Sequence, residues 1–238
     1  MSPKRREPAA TFLPGLKGPS RQIDRAESVL GELTLVVRRE DGRETYEIRL
    51  DGRHMIESRG GSSERALADR ALERLEGSRR DLRVLVGGLG AGHTLRQVLS
   101  HPEVGSVRVV EISESVGRWN WKWQSGELSD PRTELVIGDL FEVLSEPADF
   151  DAILVDVDNG PANLAASRNS RVYGNEGLSL YRRKLRRGGV LGIWSSHRAP
   201  ELKAAMKTLF VRPEEFATST DAPGGRPDWL DWLYLGSR

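Results

Sequence analysis

The sequence predicts a doubly wound, mostly parallel α/β sheet preceded by a small antiparallel β-meander. Three observations carry that expectation. From Arg83 onward five short apolar runs follow one another: RVLVGG, VRVVEI, TELVIGD, FDAILVDVD and GGVLGIWSS. Most are separated by polar or amphipathic stretches long enough for a crossover. Strands covered by helices on both faces read as continuous apolar runs, and their alternation with helices is the pattern of a doubly wound sheet. Second, the first run passes directly into Gly88-x-Gly90-x-Gly92 and a helix-like pattern. Third, LTLVVRRE, ETYEIRL and GRHMIES alternate apolar and polar residues around Asp41-Gly42 and Asp51-Gly52, the signature of hairpins joined by tight turns.

Taken in order, residues 1–25 read as a flexible basic tail, rich in Pro, Gly and cations and without periodicity. Residues 26–60 form the meander, and residues 61–238 the sheet domain. The domain opens with SSERALADRALERLEG, whose Ala66, Leu67, Ala71, Leu72 and Leu75 recur at helical spacing behind Ser62 or Ser63 as a cap. YRRKLRRGG reads as a solvated helix end whose cations suit the helix dipole. The last segment, WLDWLYLGSR, reads as a strand closing the sheet edge. No run approaches 18 apolar residues, and MSPKRREPAA has no apolar core of a signal peptide. Without cysteine the chain has neither disulfides nor thiolate metal sites. Its 36 basic and 35 acidic residues leave a net charge of +1, which argues against a dedicated nucleic-acid surface. A cytoplasmic protein that binds neither membrane nor nucleic acid is expected, with a homodimer as the assembly to test.

In a doubly wound sheet, ligands lie beyond the carboxyl ends of the strands. Glycines there reach backbone conformations closed to other residues and let the main chain approach a ligand. Glu111 ends the second run about twenty residues after the glycines, where a carboxylate would hold a ribose hydroxyl pair. Asp139, with Leu140 beside it, ends the third run, placed to accept from a purine amine. Asp156 ends the fourth. One such acid is often only a helix cap; three beside a Gly-rich turn point to a nucleoside. The nicotinamide pattern would place a third glycine where His93 stands, and no Walker lysine follows. His93 reads as a helix N-terminal residue near the ligand.

With these residues in view, the chain resembles the spermidine-synthase-like branch of the class I S-adenosylmethionine-dependent transferases. LVGGLGAGHTLRQVL, VVEIS, DPRTELVIGD, FDAILVDVDNGP and LRRGGVLGIWSS follow in that family's order and spacing. The resemblance implies a Rossmann-like sheet and S-adenosylmethionine, or its decarboxylated form, as co-substrate, with no metal. It also marks departures. Ala91 stands where the aminopropyltransferases carry an Asp that helps hold the donor amine. Asp156-Val157-Asp158-Asn159-Gly160-Pro161 replaces their D-S-S/T-D-P, and SSERALADRAL replaces a segment with a Tyr-His pair. These departures favour methyl transfer to an amine. Aminopropyl transfer in polyamine synthesis is the alternative, and a catalytically silent nucleoside-binding partner subunit is an alternative of another class.

Either transfer is a displacement at a sulfonium, which requires alignment, exclusion of water and a neutral amine. Asp156 and Asp158, two apart on an extended segment, share one side and are the candidate catalytic carboxylates, one able to raise the other's pKa. Asp158 reads equally well as a turn acid before Asn159-Gly160-Pro161. Asn159 and Tyr173 are the candidate substrate-binding residues, with Asn169 in the same long polar stretch. Trp119, Trp121 and Trp123 alternate in RWNWKWQ, so on a helix they cannot share one pocket. Core packing accounts for at least one, and another could cover the ligand.

Overall fold

A computed structural model describes residues 20–40, 42–75, 77, 80–124, 126–157, 160–161, 170–219 and 230–238. The meander has four strands, β1 (Ser20–Ser28), β2 (Gly31–Glu40), β3 (Arg43–Leu50) and β4 (Arg53–Glu57), antiparallel in that spatial order. Asp51 and Gly52 both take positive φ, 49° and 77°, as a two-residue turn matched to strand twist demands. Of the expected tail, residues 1–19 lie outside the described residues. Its last part, Ser20–Arg25, is strand instead, paired with Thr34–Arg38 of β2. This correction has a simple cause. SRQIDRAES has too few apolar residues to announce a strand, but the backbone of β2 offers it a ladder, and Asp24 accepts a hydrogen bond (2.7 Å) from the Trp119 indole.

α1 (Ser62–Glu73) buries Leu67, Ala68, Ala71 and Leu72. Neither Ser62 nor Ser63 caps it. The cap is Gly61 in the left-handed conformation, because both serines are engaged elsewhere. Ser62 Oγ donates to the Ser219 carbonyl, and Ser63 Oγ accepts from the Trp194 indole at 3.0 Å.

The remaining chain alternates β5 (Leu82–Gly87), α2 (His93–Ser100), β6 (Val104–Glu111), α3 (Glu114–Asn120), β7 (Thr133–Ile137), α4 (Leu140–Ser145) and β8 (Phe150–Val155). It continues through α5 (Ser170–Tyr173), α6 (Asn175–Lys184), β9 (Leu185–Ser195), α7 (Pro200–Leu209), β10 (Val211–Ser219) and β11 (Leu230–Ser237). The seven-stranded sheet has the order β10-β11-β9-β8-β5-β6-β7. The five apolar runs are β5 to β9, parallel throughout. β11 runs antiparallel between β9 and β10, so the final strand does not close the edge; β10 does. Leu233, Tyr234 and Leu235 in β11 are almost fully buried and need a neighbour on each side, whereas β10 alternates and tolerates an edge.

Side-chain alternation along β5 divides the core. Val84 and Val86 face α1 and α2, and Leu85 faces the layer of α4, α6 and α7. A third cluster, Leu33, Leu35, Ile48, Val116 and Trp119, seats the meander on α3. No described helix is long and apolar enough to cross a membrane.

Candidate active site

From β5 the chain winds outward through β6 and β7 on one side and through β8 and β9 on the other. The crevice at that divergence lies beyond the carboxyl ends of β5 and β8 and is lined by the glycine turn. The three glycines there have different surroundings. Gly88, at φ 94°, lies so close to β8 that a Cβ would overlap the Asp156 carbonyl. Gly92 is the left-handed cap of α2 and lies against Gln124. Gly90, at φ 52°, has open space where a Cβ would be. The sheet therefore packs against the first glycine, and the crevice opens at the second.

Glu111, at the end of β6, is 7 % exposed. One carboxylate oxygen accepts from Leu89 N (3.1 Å) and the other from Ser113 N (2.9 Å), so this side chain organises the glycine turn itself. Burial pushes its pKa up, against the main-chain donors that pull it down. Asp139 is the N-cap of α4, accepting from Phe141 N (2.8 Å), and its second oxygen accepts from Arg171 (2.7 Å). The Arg171 guanidinium also lies over the Phe141 ring, 4.3 Å from its centroid. Leu140 packs its methyls against Gly87.

Asp156 follows β8, and its backbone N–H donates to the Gly87 carbonyl (2.8 Å). Its carboxylate accepts from Thr94 Oγ1 at 3.3 Å. Burial first, then the Glu64 charge, push its pKa well above the usual carboxylate range; Asp231 adds to this and the Thr94 bond opposes it. Glu64, in the first turn of α1, was not among the residues expected here. It is oriented by a short chain of bonds in which the Trp194 indole donates to Ser63 Oγ (3.0 Å) and that hydroxyl donates to Glu64 (2.6 Å). Sequence could have flagged it only as an acid in a helix's first turn, which usually means no more than dipole complementarity.

His93 begins α2 as expected, buried beneath Gly61 with Nε2 3.3 Å from the Glu57 carbonyl. Burial lowers its pKa and so favours the neutral ring. Tyr173 is 5 % exposed and packs within the core cluster of α6 and β9. Asp158, Asn159 and Asn169 lie outside the described residues. Among the tryptophans, Trp119 is core, Trp121 is 56 % exposed, and Trp123 turns its indole N–H to the Ala91 carbonyl at 3.1 Å. Among the described residues no group of three or more His, Asp or Glu is placed to hold a metal ion.

Comparison with known proteins gives this crevice a context. The Spermine/spermidine synthase domain model matches residues 66–210. The polyamine aminopropyltransferase 1 of Hyperthermus butylicus is 35% identical over 150 residues, 56% of this chain and 50% of that protein. The polyamine aminopropyltransferase 2 of Pseudomonas aeruginosa is 34% identical over 171 residues, 63% of this chain and 46% of that protein. These matches span about half the length of those relatives. Among solved structures, a spermidine synthase in complex with the transition-state analogue AdoDATO superposes with a TM-score of 0.71 at 20% identity, covering 91% of this chain and 72% of that one. The spermidine synthase of Thermotoga maritima does so with a TM-score of 0.71 at 19% identity. The relatives overturn the expectation of methyl transfer, since those that match in sequence are named aminopropyltransferases. That expectation rested on three departures together: Ala91, the Asp156–Pro161 stretch and the SSERALADRAL segment.

Proposed function

Because the chain belongs to the spermine/spermidine synthase domain family, we propose that it is an aminopropyltransferase using decarboxylated S-adenosylmethionine and an amine acceptor. The observation that carries the reading is the grouping of Asp156 with the charges of Glu64 and Asp231 at the edge of an open glycine turn. Such a group attracts a cationic amine and disfavours a donor that brings its own carboxylate. In the reaction, the neutral nitrogen of the acceptor attacks the aminopropyl carbon bonded to sulfur. Asp156 first takes the proton that the acceptor ammonium must lose. As the C–N bond forms the C–S bond breaks, and methylthioadenosine leaves neutral. The product carries the charge as a protonated secondary amine, and Asp156 returns its proton to solvent.

Glu111 serves the ribose while holding the turn, and Asp139, fixed by Arg171, serves the base with Leu140 as apolar floor. Gly90 gives the ligand its approach, with Gly88 and Gly92 setting the loop around it. Asp158 and Asn159, outside the described residues, are proposed from the sequence alone to bind the acceptor. Calorimetric titration separates the donors: decarboxylated S-adenosylmethionine is expected to bind at least tenfold more tightly than S-adenosylmethionine, about 1.4 kcal/mol. Methylthioadenosine should then accumulate when a diamine is added. Tighter binding of the carboxylated donor, with no methylthioadenosine formed, would overturn the proposal.

A further inference from the structure

Besides Glu111, two residues at and just after the end of α3 hold the glycine turn through its carbonyls. Asn120, fully buried at the end of α3, donates from Nδ2 to the Gly90 carbonyl (2.9 Å) and to Val116 O (2.8 Å), and its Oδ1 accepts from Gln124 (2.6 Å). Trp123 donates its indole N–H to the next carbonyl, Ala91 O. Both peptide oxygens are thus drawn toward α3. The Trp123 ring in turn lies against Tyr46 of β3, 5.3 Å between centroids with the planes at 30°, and packs on the cluster beneath the meander. A glycine turn with freedom at Gly90 has several accessible peptide orientations. Without these two bonds the Gly90 and Ala91 carbonyls would be free to reorient, changing the surface that the turn offers to a ligand.

We propose that Trp123 and Asn120 are positioning residues for the nucleoside donor, fixing the Gly90 and Ala91 carbonyls, and that through the Trp123–Tyr46 contact donor affinity depends on the seating of the meander. The inference rests on the aminopropyltransferase reading for the identity of the donor, but not for its geometry. It assigns the alternating tryptophans distinct tasks: Trp119 anchors the meander through Asp24, and Trp123 connects the meander to the ligand turn.

The test uses the full chain and two variants outside the crevice. Trp123→Phe keeps a ring against Tyr46 and removes the N–H, whereas Tyr46→Leu leaves the N–H and removes the ring that supports it. Calorimetry with methylthioadenosine and with decarboxylated S-adenosylmethionine should show roughly five- to tenfold weaker binding for Trp123→Phe and roughly threefold for Tyr46→Leu. At saturating donor, kcat should stay within about twofold of wild type, so the effect falls on donor KM. A structural role alone would instead lower the melting temperature and kcat while sparing the affinity of the folded fraction. Wild-type affinity in both variants overturns the proposal and leaves the functional reading intact. Tight methylthioadenosine binding by the wild type without aminopropyl transfer, with both variants weakened, overturns the functional reading and leaves this proposal standing. If Trp123→Phe does not fold, Tyr46→Leu decides alone, through the same donor affinity.

Discussion

At Asp156, burial and the neighbouring Glu64 charge push the carboxyl in one direction, toward a stronger base. The acid limb of kcat/KM should therefore lie well above the ordinary aspartate value of about 3.9. Removing one of the two causes tests that cause. Glu64→Gln should move that limb to lower pH, since Asp156 then ionises more readily, and an unmoved limb would show that Glu64 does not act on it. Asp156→Asn should lower kcat by roughly two to four orders of magnitude, the usual range for a positioned proton acceptor, while methylthioadenosine affinity changes little. Glu111 behaves differently because its oxygens already hold Leu89 N and Ser113 N. Glu111→Ala strands these donors in a buried place, so it should reduce thermal stability as well as donor affinity, by about 1–3 kcal/mol. A variant that loses donor binding alone would show that the ribose contact outweighs the turn. The acids at the strand ends were legible in sequence because strand ends and glycine turns have local signatures. Arg171 on Asp139 was not, because the partners lie 32 residues apart and only the fold brings them together.

Among elements, the apolar runs identified β5 to β9 because continuous burial leaves a mark in composition. β1 left little, since a strand held by main-chain pairing, one indole bond and the packing of Ile23 and Ala26 requires few apolar side chains. The glycine turn was recognised as a unit, yet the partition within it depends on what packs opposite each residue, which no local pattern records. Two substitutions read that partition. Gly88→Ala meets the Asp156 carbonyl and should destabilise the fold by about 1–3 kcal/mol or more in chemical denaturation. Gly90→Ala meets nothing and carries only the left-handed backbone penalty, about 1–2 kcal/mol. Gly90→Val should leave the protein folded and still abolish tight methylthioadenosine binding. Equal stability losses at Gly88 and Gly90 would contradict the packing described.

Over the whole molecule, two populations of carboxylates respond oppositely to acid. Arg198 and then Lys203 hold Glu215 below its ordinary pKa, Arg132 does so for Asp130, and the Trp119 indole does so for Asp24. Their stabilisation is present above the unfolded values of about 4 and is lost as pH falls through the lower folded ones. The melting temperature should thus decline steeply below about pH 4, and Glu215→Gln should make that decline shallower; an unchanged slope would mean the ion pairs contribute nothing. Glu111 and Asp156, with raised values, have the reverse sign: their share is present below the unfolded pKa and disappears as pH rises through the folded one. Near that upper value the empty crevice retains a hydrogen ion on Asp156 that an arriving ammonium would displace. Substrate capture then releases acid to the solvent. The heat measured on adding a polyamine should scale with the ionisation enthalpy of the buffer, and the apparent affinity should climb with pH until the acceptor itself begins to lose its charge.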